Sequence, residues 1–529
     1  MKRNIINSYL NMEIILRFCL VATVIVTMGP TIPSAAKPCQ KKSFGGSSFV
    51  CVCNESYCDT VEAETTLTSN QFAVYSTSKS GDRLKKTVNE FQKASGAKLA
   101  LFVNINKTKQ TIIGFGGTFT DAAGMNIASL PGGAQTMLIE SYFGVSGIEY
   151  TLGRIPIASN DMSTDVYSYD FTNGDTGLSK FTIDQTDHLY KIPYIDRAVS
   201  VSRHNVSLYG SPWAPPDWMK TNDNMAGYGT ILPNMAKVYA NYLARFLSEY
   251  EGFMSEGRMW GITAQSGPTR SCINTSEPVY QSLCWTAESM RDWIAKALKK
   301  SIIDNGYAHI KVFTMDDTRD VFKNWTDTFK DTQAEKDIDG FAIQGYQDDD
   351  FPPKYLCDVY NSHNGTQLLL GSEFCIRDQP VIDLGCWERG VTLARRLFQD
   401  LQNCFSGFTD YNLAVDLNGG PSWVNNTADS PIIVDHDNKQ FYKQPMFYSM
   451  GQFSKFIPPG SIAVEVDSLE PVLLNNPTVA FKRTDGAIVV VIGNFENKSM
   501  NVEIEFDNSG QHAKFTMEAD SISTVIWWP

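Results

Sequence analysis

Histidine and positive charge are both scarce in this chain. Its six histidines are scattered through 529 residues, and none stands at the spacing of a metal-binding cluster. Lys and Arg number 45 against 58 Asp and Glu, a formal net charge of -13, so the basic footprint of a nucleic-acid binder is missing. Beyond the N-terminal segment no run approaches the ~20 apolar residues that a membrane-spanning helix needs. There is no repeat of solenoid period and no low-complexity tract. Disorder requires few aromatics and high charge, whereas this chain is 12% aromatic and only 19% charged, so most of it should fold. Single cores seldom grow beyond ~250–300 residues, so more than one is expected.

The N-terminus carries Lys2, Arg3 and Arg17 ahead of an apolar run from Phe18 to Met28, followed by Ser34, Ala35 and Ala36. That order reads as a signal peptide over residues 1–36, with the competing reading, a membrane anchor, disfavoured by the shortness of the run. Removing Cys19 with it leaves ten of eleven cysteines. Cys39, Cys51, Cys53 and Cys58 cluster at the new N-terminus, where three disulfide pairings are open. A zinc site there lacks nearby His ligands. Cys272 and Cys284 form a further candidate pair. Asn-x-Ser/Thr sequons at Asn54, Asn106, Asn205, Asn274, Asn324, Asn364, Asn425 and Asn497 agree with a glycosylated, lumenal chain.

From about residue 110 to 410, short apolar runs alternate with amphipathic stretches. Strands are predicted at Tyr150–Ile155, Ser207–Tyr209, Trp260–Thr263, Ile310–Thr314, Gly340–Ile343 and Leu368–Leu370, and helices at Ala236–Tyr250 and Ala287–Asn305. Such alternation predicts an α/β fold, a (β/α)8 barrel, with its active site at the C-terminal strand ends. Strand-like segments lie on either side of it, from about 65 to 110 and again after 460. Three apolar runs end in polar residues. Gly114-Phe115-Gly116-Gly117 leads to Asp121, and a bulge turning that carboxylate into a pocket is preferred here over a phosphate loop, which would need a Lys-Ser/Thr ending. Trp260–Ala264 runs into Gln265-Ser266-Gly267-Pro268, and Leu368–Ser372 ends in Glu373.

These segments resemble the lysosomal glucosylceramidases (acid β-glucosidases), a family of retaining glycoside hydrolases. The resemblance is carried by Lys37-Pro38-Cys39, Cys51-Val52-Cys53-Asn54, Gly114–Asp121, Ser211-Pro212-Trp213, Met315-Asp316-Asp317, Asp429–Asp435 and the run FYKQPMFYSMGQFSKFIP from Phe441 to Pro458. It implies a TIM barrel over 110–410, rejoined by 448–465. It implies a β-sandwich module from 67–109 and 466–529, and a small disulfide-stapled β-sheet from 37–66 with 411–447. It pairs Cys39 with Cys51 and Cys53 with Cys58. It further implies a lysosomal or secreted protein acting on glucosylceramide or a related β-glucoside, with a saposin-type activator, an anionic lipid surface in peripheral contact, and no metal or other cofactor.

One departure governs the expected chemistry. Retaining glycosidases use two carboxyl groups ~5–5.5 Å apart. Glu373 falls on the family's nucleophile. The acid/base belongs in a Thr-Ala-Glu-Asn-Glu-Pro motif, but this chain reads Thr263-Ala264-Gln265-Ser266-Gly267-Pro268. Gly267 therefore occupies the acid/base position with no proton to give. The family's His-Trp-Tyr is Gln344-Gly345-Tyr346 here, and its Trp-Thr-Asp-Trp is Phe408-Thr409-Asp410-Tyr411. Asp121, Trp213, Ser266, Tyr346, Asp410 and Tyr411 remain as expected substrate contacts. Hydrolysis is expected to be impaired or absent, unless the run Asp348-Asp349-Asp350 supplies a substitute acid. The alternative is a pseudoenzyme that binds sphingolipid or sugar.

Overall fold

Eight short strands, nearly all buried along their length, close into a barrel of parallel neighbours, as strands covered on both faces must. In chain order they are β1 (Gly114–Thr118), β2 (Leu152–Ile157), β3 (Ser207–Pro212), β4 (Met259–Thr263), β5 (Lys311–Thr318), β6 (Gly340–Gln344), β7 (Leu368–Glu373) and β8 (Phe405–Asp410). β8 pairs with β1 to complete the ring. Leu152, Tyr209, Phe313, Ala342 and Leu370, from five different strands, form a buried cluster of their own, so the barrel interior is a packed core. The computed structural model describes residues 36–529 apart from 94–98, 273–279, 347, 349–352, 364–365, 469–475 and 507–509. The expected leader up to residue 35, the sequons at Asn274 and Asn364, and Asp349 and Asp350 lie outside the described residues.

The glycine run before Asp121 is a barrel strand, not the expected bulge. A Cβ on Gly116 would stand 1.9 Å from the Leu152 carbonyl oxygen, and one on Gly117 would stand 2.5 Å from the Leu413 side chain. The glycines let β1 approach its neighbours closely.

A nine-stranded sheet and a five-stranded sheet accompany the barrel. In the larger, Gln71–Ser78 pairs antiparallel with Ser521–Trp527, near the C-terminus, and the 13-residue strand Leu99–Thr111 bridges Met500–Phe506 and Ile462–Ser468. Its interior is a separate hydrophobic core that includes Phe72, Val74, Val490 and Trp527. In the smaller, Val50–Cys53 pairs with Gln440–Lys443. Disulfides Cys39–Cys51 and Cys53–Cys58 staple its N-terminal edge. Cys272–Cys284 and Cys357–Cys404 are also bonded, while Cys375 and Cys386 are free. The helix Pro445–Ser454 is buried at every residue, as its apolarity on all sides demands. Its Gln452 Nε2 donates to Thr77, and Thr524 donates back to Gln452 Oε1, tying the helix to the nine-stranded sheet. Among the described sequon asparagines, Asn106, Asn205, Asn324, Asn425 and Asn497 are exposed and Asn54 is half-buried.

Candidate active site

The site is built around one arginine. Arg154, in mid-β2, is fully buried, and a buried guanidinium has to be paired. It bonds Glu373 at the end of β7 and reaches Asp316 Oδ2 on β5 at 2.8 Å. It also donates to Ser211 Oγ on β3 at 3.0 Å and to Ser266 Oγ after β4 at 3.1 Å. Residues on or just after five strands are thus joined through one side chain. Asp316 turns inward because β5 slips register between Met315 and Asp317, with Met315 at φ 70° and Asp316 at φ 54°. Two successive non-glycine residues in the left-handed region cost free energy, and such strain is typical of functional sites. Thr263 and Ser372 hydroxyls complete the Asp316 carboxylate at 2.8 and 2.6 Å.

Glu373 has one more partner. Tyr346 donates its hydroxyl to Glu373 Oε1 at 3.0 Å. Burial raises the Glu373 carboxyl above its ordinary range, and Arg154 opposes that shift. Burial also pushes the Tyr346 and Tyr411 hydroxyls well up, so both remain donors. Trp213 stacks on Tyr411 at 6.2 Å, and the Arg154 guanidinium lies over the Trp213 ring at 4.7 Å. Tyr411 donates to Asp161 Oδ1 at 2.6 Å. Gly267 sits at the end of the β4 segment, its N–H bonded to the Asp316 carbonyl, with open space where a side chain would project. Nearby carboxyls are already held. Asp317 accepts from Thr269 N and Oγ1 at 2.8 and 2.7 Å, and Asp348 is paired with Arg319 and Arg396.

Residues 112–457 match the glycosyl hydrolase family 30 TIM-barrel domain, and residues 460–525 match the family 30 beta sandwich domain. The chain belongs to glycosyl hydrolase family 30. It falls in the glucosylceramidase-like group, being 36% identical over 501 residues to a lysosomal acid glucosylceramidase of Mus musculus, across 93% of this chain and 96% of that one. In fold it is similar to SrfJ from Salmonella typhimurium, with TM-score 0.80, 24% identity, and 87% and 100% of the two chains covered. It is also similar to the endo-beta1,6-glucanase BT3312, with TM-score 0.75, 20% identity and 87% and 99% coverage.

On this family 30 barrel the structure gathers Glu373, Tyr346, Ser266, Gly267, Trp213 and Tyr411 at the C-terminal strand ends. Asp121 and Asp410, also expected as contacts, are buried among partners of their own. Asp121 is 1% exposed, bonded to Ser163 and Tyr167 and ion-paired with Lys191 at 3.0 Å. Asp410 is buried with Tyr142, Tyr150 and Asp429 as its electrostatic neighbours, and burial raises its carboxyl well above the ordinary range. Arg154 and Asp161 are site residues that the sequence reading did not single out, and Asp316 entered it only within the Met315-Asp316-Asp317 motif. A lone Arg inside the apolar strand Leu152–Ile157 was the one available signal, since such a charge requires buried partners.

Proposed function

We propose that this family 30 chain is a glucosylceramidase-type β-glucoside-binding protein whose hydrolysis is disabled at proton transfer. Glu373 is the nucleophile position and Gly267 the vacated acid/base position. The observation that carries this reading is the contrast between the two strand ends. Glu373 is oriented by Arg154 and Tyr346, while Gly267 offers no ionisable group, and Asp317 and Asp348 are engaged by other partners. Losing a positioned general acid costs about 10²–10⁴-fold in rate. The cost falls on both steps, because the same residue would later activate water. The name of the murine relative supports glucosylceramide as the ligand class and a lysosomal location; a saposin-type activator and an anionic lipid surface belong to the same proposal as partners.

The test is glucosylceramide hydrolysis at acidic pH with activator and anionic vesicles, comparing the native chain with Gly267→Glu. There is room for the side chain, though φ 55° at this position costs about 1 kcal/mol in a non-glycine residue. Activity should rise by about 10²-fold or more in the variant. Equal turnover in both would sink the reading. An activated 2-deoxy-2-fluoro-glucoside, whose leaving group departs without acid help, should label Glu373 in the native chain. A second reading, a binder of sphingolipid or sugar with no turnover, is favoured by the same glycine. It predicts vesicle binding by the native chain with no labelling at Glu373.

A further inference from the structure

We propose that the rim of this pocket selects a glycoside bearing an anionic substituent, a carboxylate or sulfate, through Arg270 and Arg377. The inference rests on the reading above that the pocket takes a glycoside, and it specifies which kind.

Arg270 follows β4 and Arg377 follows β7, yet both guanidiniums converge on one ring. They lie over Tyr346 at 5.6 and 5.9 Å from its centroid, and the Tyr346 hydroxyl touches Glu373. Their side chains are 40% and 33% exposed, against 9% for Glu373, so they stand outward of the nucleophile position. Among the described residues, neither has its charge met by a direct hydrogen bond to a carboxylate. The acidic group facing Arg270 is Asp317 at 4.0 Å, whose oxygens are already taken by Thr269 and Thr318. Arg270 makes no hydrogen bond to a described residue. Arg377 bonds the Asn426 amide oxygen and the Cys375 sulfur, both neutral, and faces Asp161 at 3.8 Å. Asp161 in turn is satisfied by Tyr411 and by Asn426 Nδ2 at 2.8 Å.

Guanidinium forks match paired oxygens of carboxylate and sulfate, and such charge-assisted bonds exceed neutral ones. A neutral glucoside offers these donors only hydroxyl oxygens, which accept weaker bonds than an anion does. An acidic sugar placed over Glu373 brings its negative group between the two arginines.

The experiment is calorimetric titration at about pH 5, where a uronic carboxylate is ionised. The probes are methyl β-D-glucuronide, methyl β-D-glucoside 6-sulfate, methyl β-D-glucoside and inorganic sulfate, against the native chain, Arg270→Gln and Arg377→Gln. The native chain should bind at least one anionic glycoside about ten-fold tighter than the neutral one. That advantage should shrink in both variants and at high salt. Arg270 is exposed and its replacement should leave the fold intact, so it decides the matter if Arg377→Gln unfolds. Equal affinity for neutral and anionic glycosides overturns the proposal while leaving the glycoside pocket standing. An advantage that survives Arg270→Gln, or inorganic sulfate binding as tightly as the sugar acids, also overturns it. Absence of binding by every glycoside removes both this proposal and the pocket reading beneath it.

Discussion

Arg154 holds Glu373 and Asp316 at once, and each carboxylate has a hydroxyl as second partner. Removing the arginine would strand two buried carboxylates, a loss of about 3–5 kcal/mol. A gentler probe is Tyr346→Phe. The Tyr346 hydroxyl stabilises the ionised form of Glu373, so its loss should move the Glu373 pKa further up. Because only the carboxylate attacks, the pH profile of labelling by the fluoro-glucoside should shift to higher pH. An unmoved profile would mean that the bond does not tune Glu373. At this scale the sequence was legible where a residue closes an apolar run, as Glu373 does at the end of β7. It was not legible where a side chain's role depends on distant strands. Asp121 illustrates the second case. It follows a suggestive glycine run, but Lys191, Tyr167 and Ser163 enclose it, and they arrive from up to 70 residues further on.

At the scale of elements, β1 is held by its lack of side chains. Gly116→Ala would push a methyl group into the Leu152 backbone, where no rotamer change gives relief, so the variant should fail to accumulate as folded protein. Gly132→Ala, at the start of helix Gly132–Phe143 with open space around it, should be tolerated or slightly stabilising. Thermal melts of the two variants check both statements. Apolar runs located six of the eight barrel strands and ended five of them too early. β5 was expected over Ile310–Thr314 and extends to Thr318, because Met315-Asp316-Asp317 pairs with β6 across a bulge. The predicted helix Ala287–Asn305 is helical along most of its length, but with a π-helical turn at Ile294–Leu298 that a 3.6-residue period cannot register.

Across the whole molecule, buried acids set the response to pH. Burial raises Asp187 and Asp429 to about 6 each, against the partial opposition of Lys191 and Arg389. In the unfolded chain they would titrate near 3.8. Between those values the folded chain binds more protons, so stability grows as pH falls through about 6 and levels off near about 4. Glu388, depressed to about 2 by Lys79 and Ser47 against its burial, works the other way and loses its contribution as pH falls below about 4.5. The midpoint of thermal unfolding should therefore rise from pH 7 toward pH 5 and decline in stronger acid. A midpoint that falls between pH 7 and pH 5 would show that the two aspartates stay ionised in the folded chain. The sequence by itself determined the family and the barrel, because local pattern and contiguous motifs carry those properties. Only the tertiary structure decided that Arg154 is the hub of the site, that Asp121 is enclosed, and that Arg270 and Arg377 meet over Tyr346. Those facts arise from closing eight strands into a ring, which brings together strand ends that are far apart in the chain.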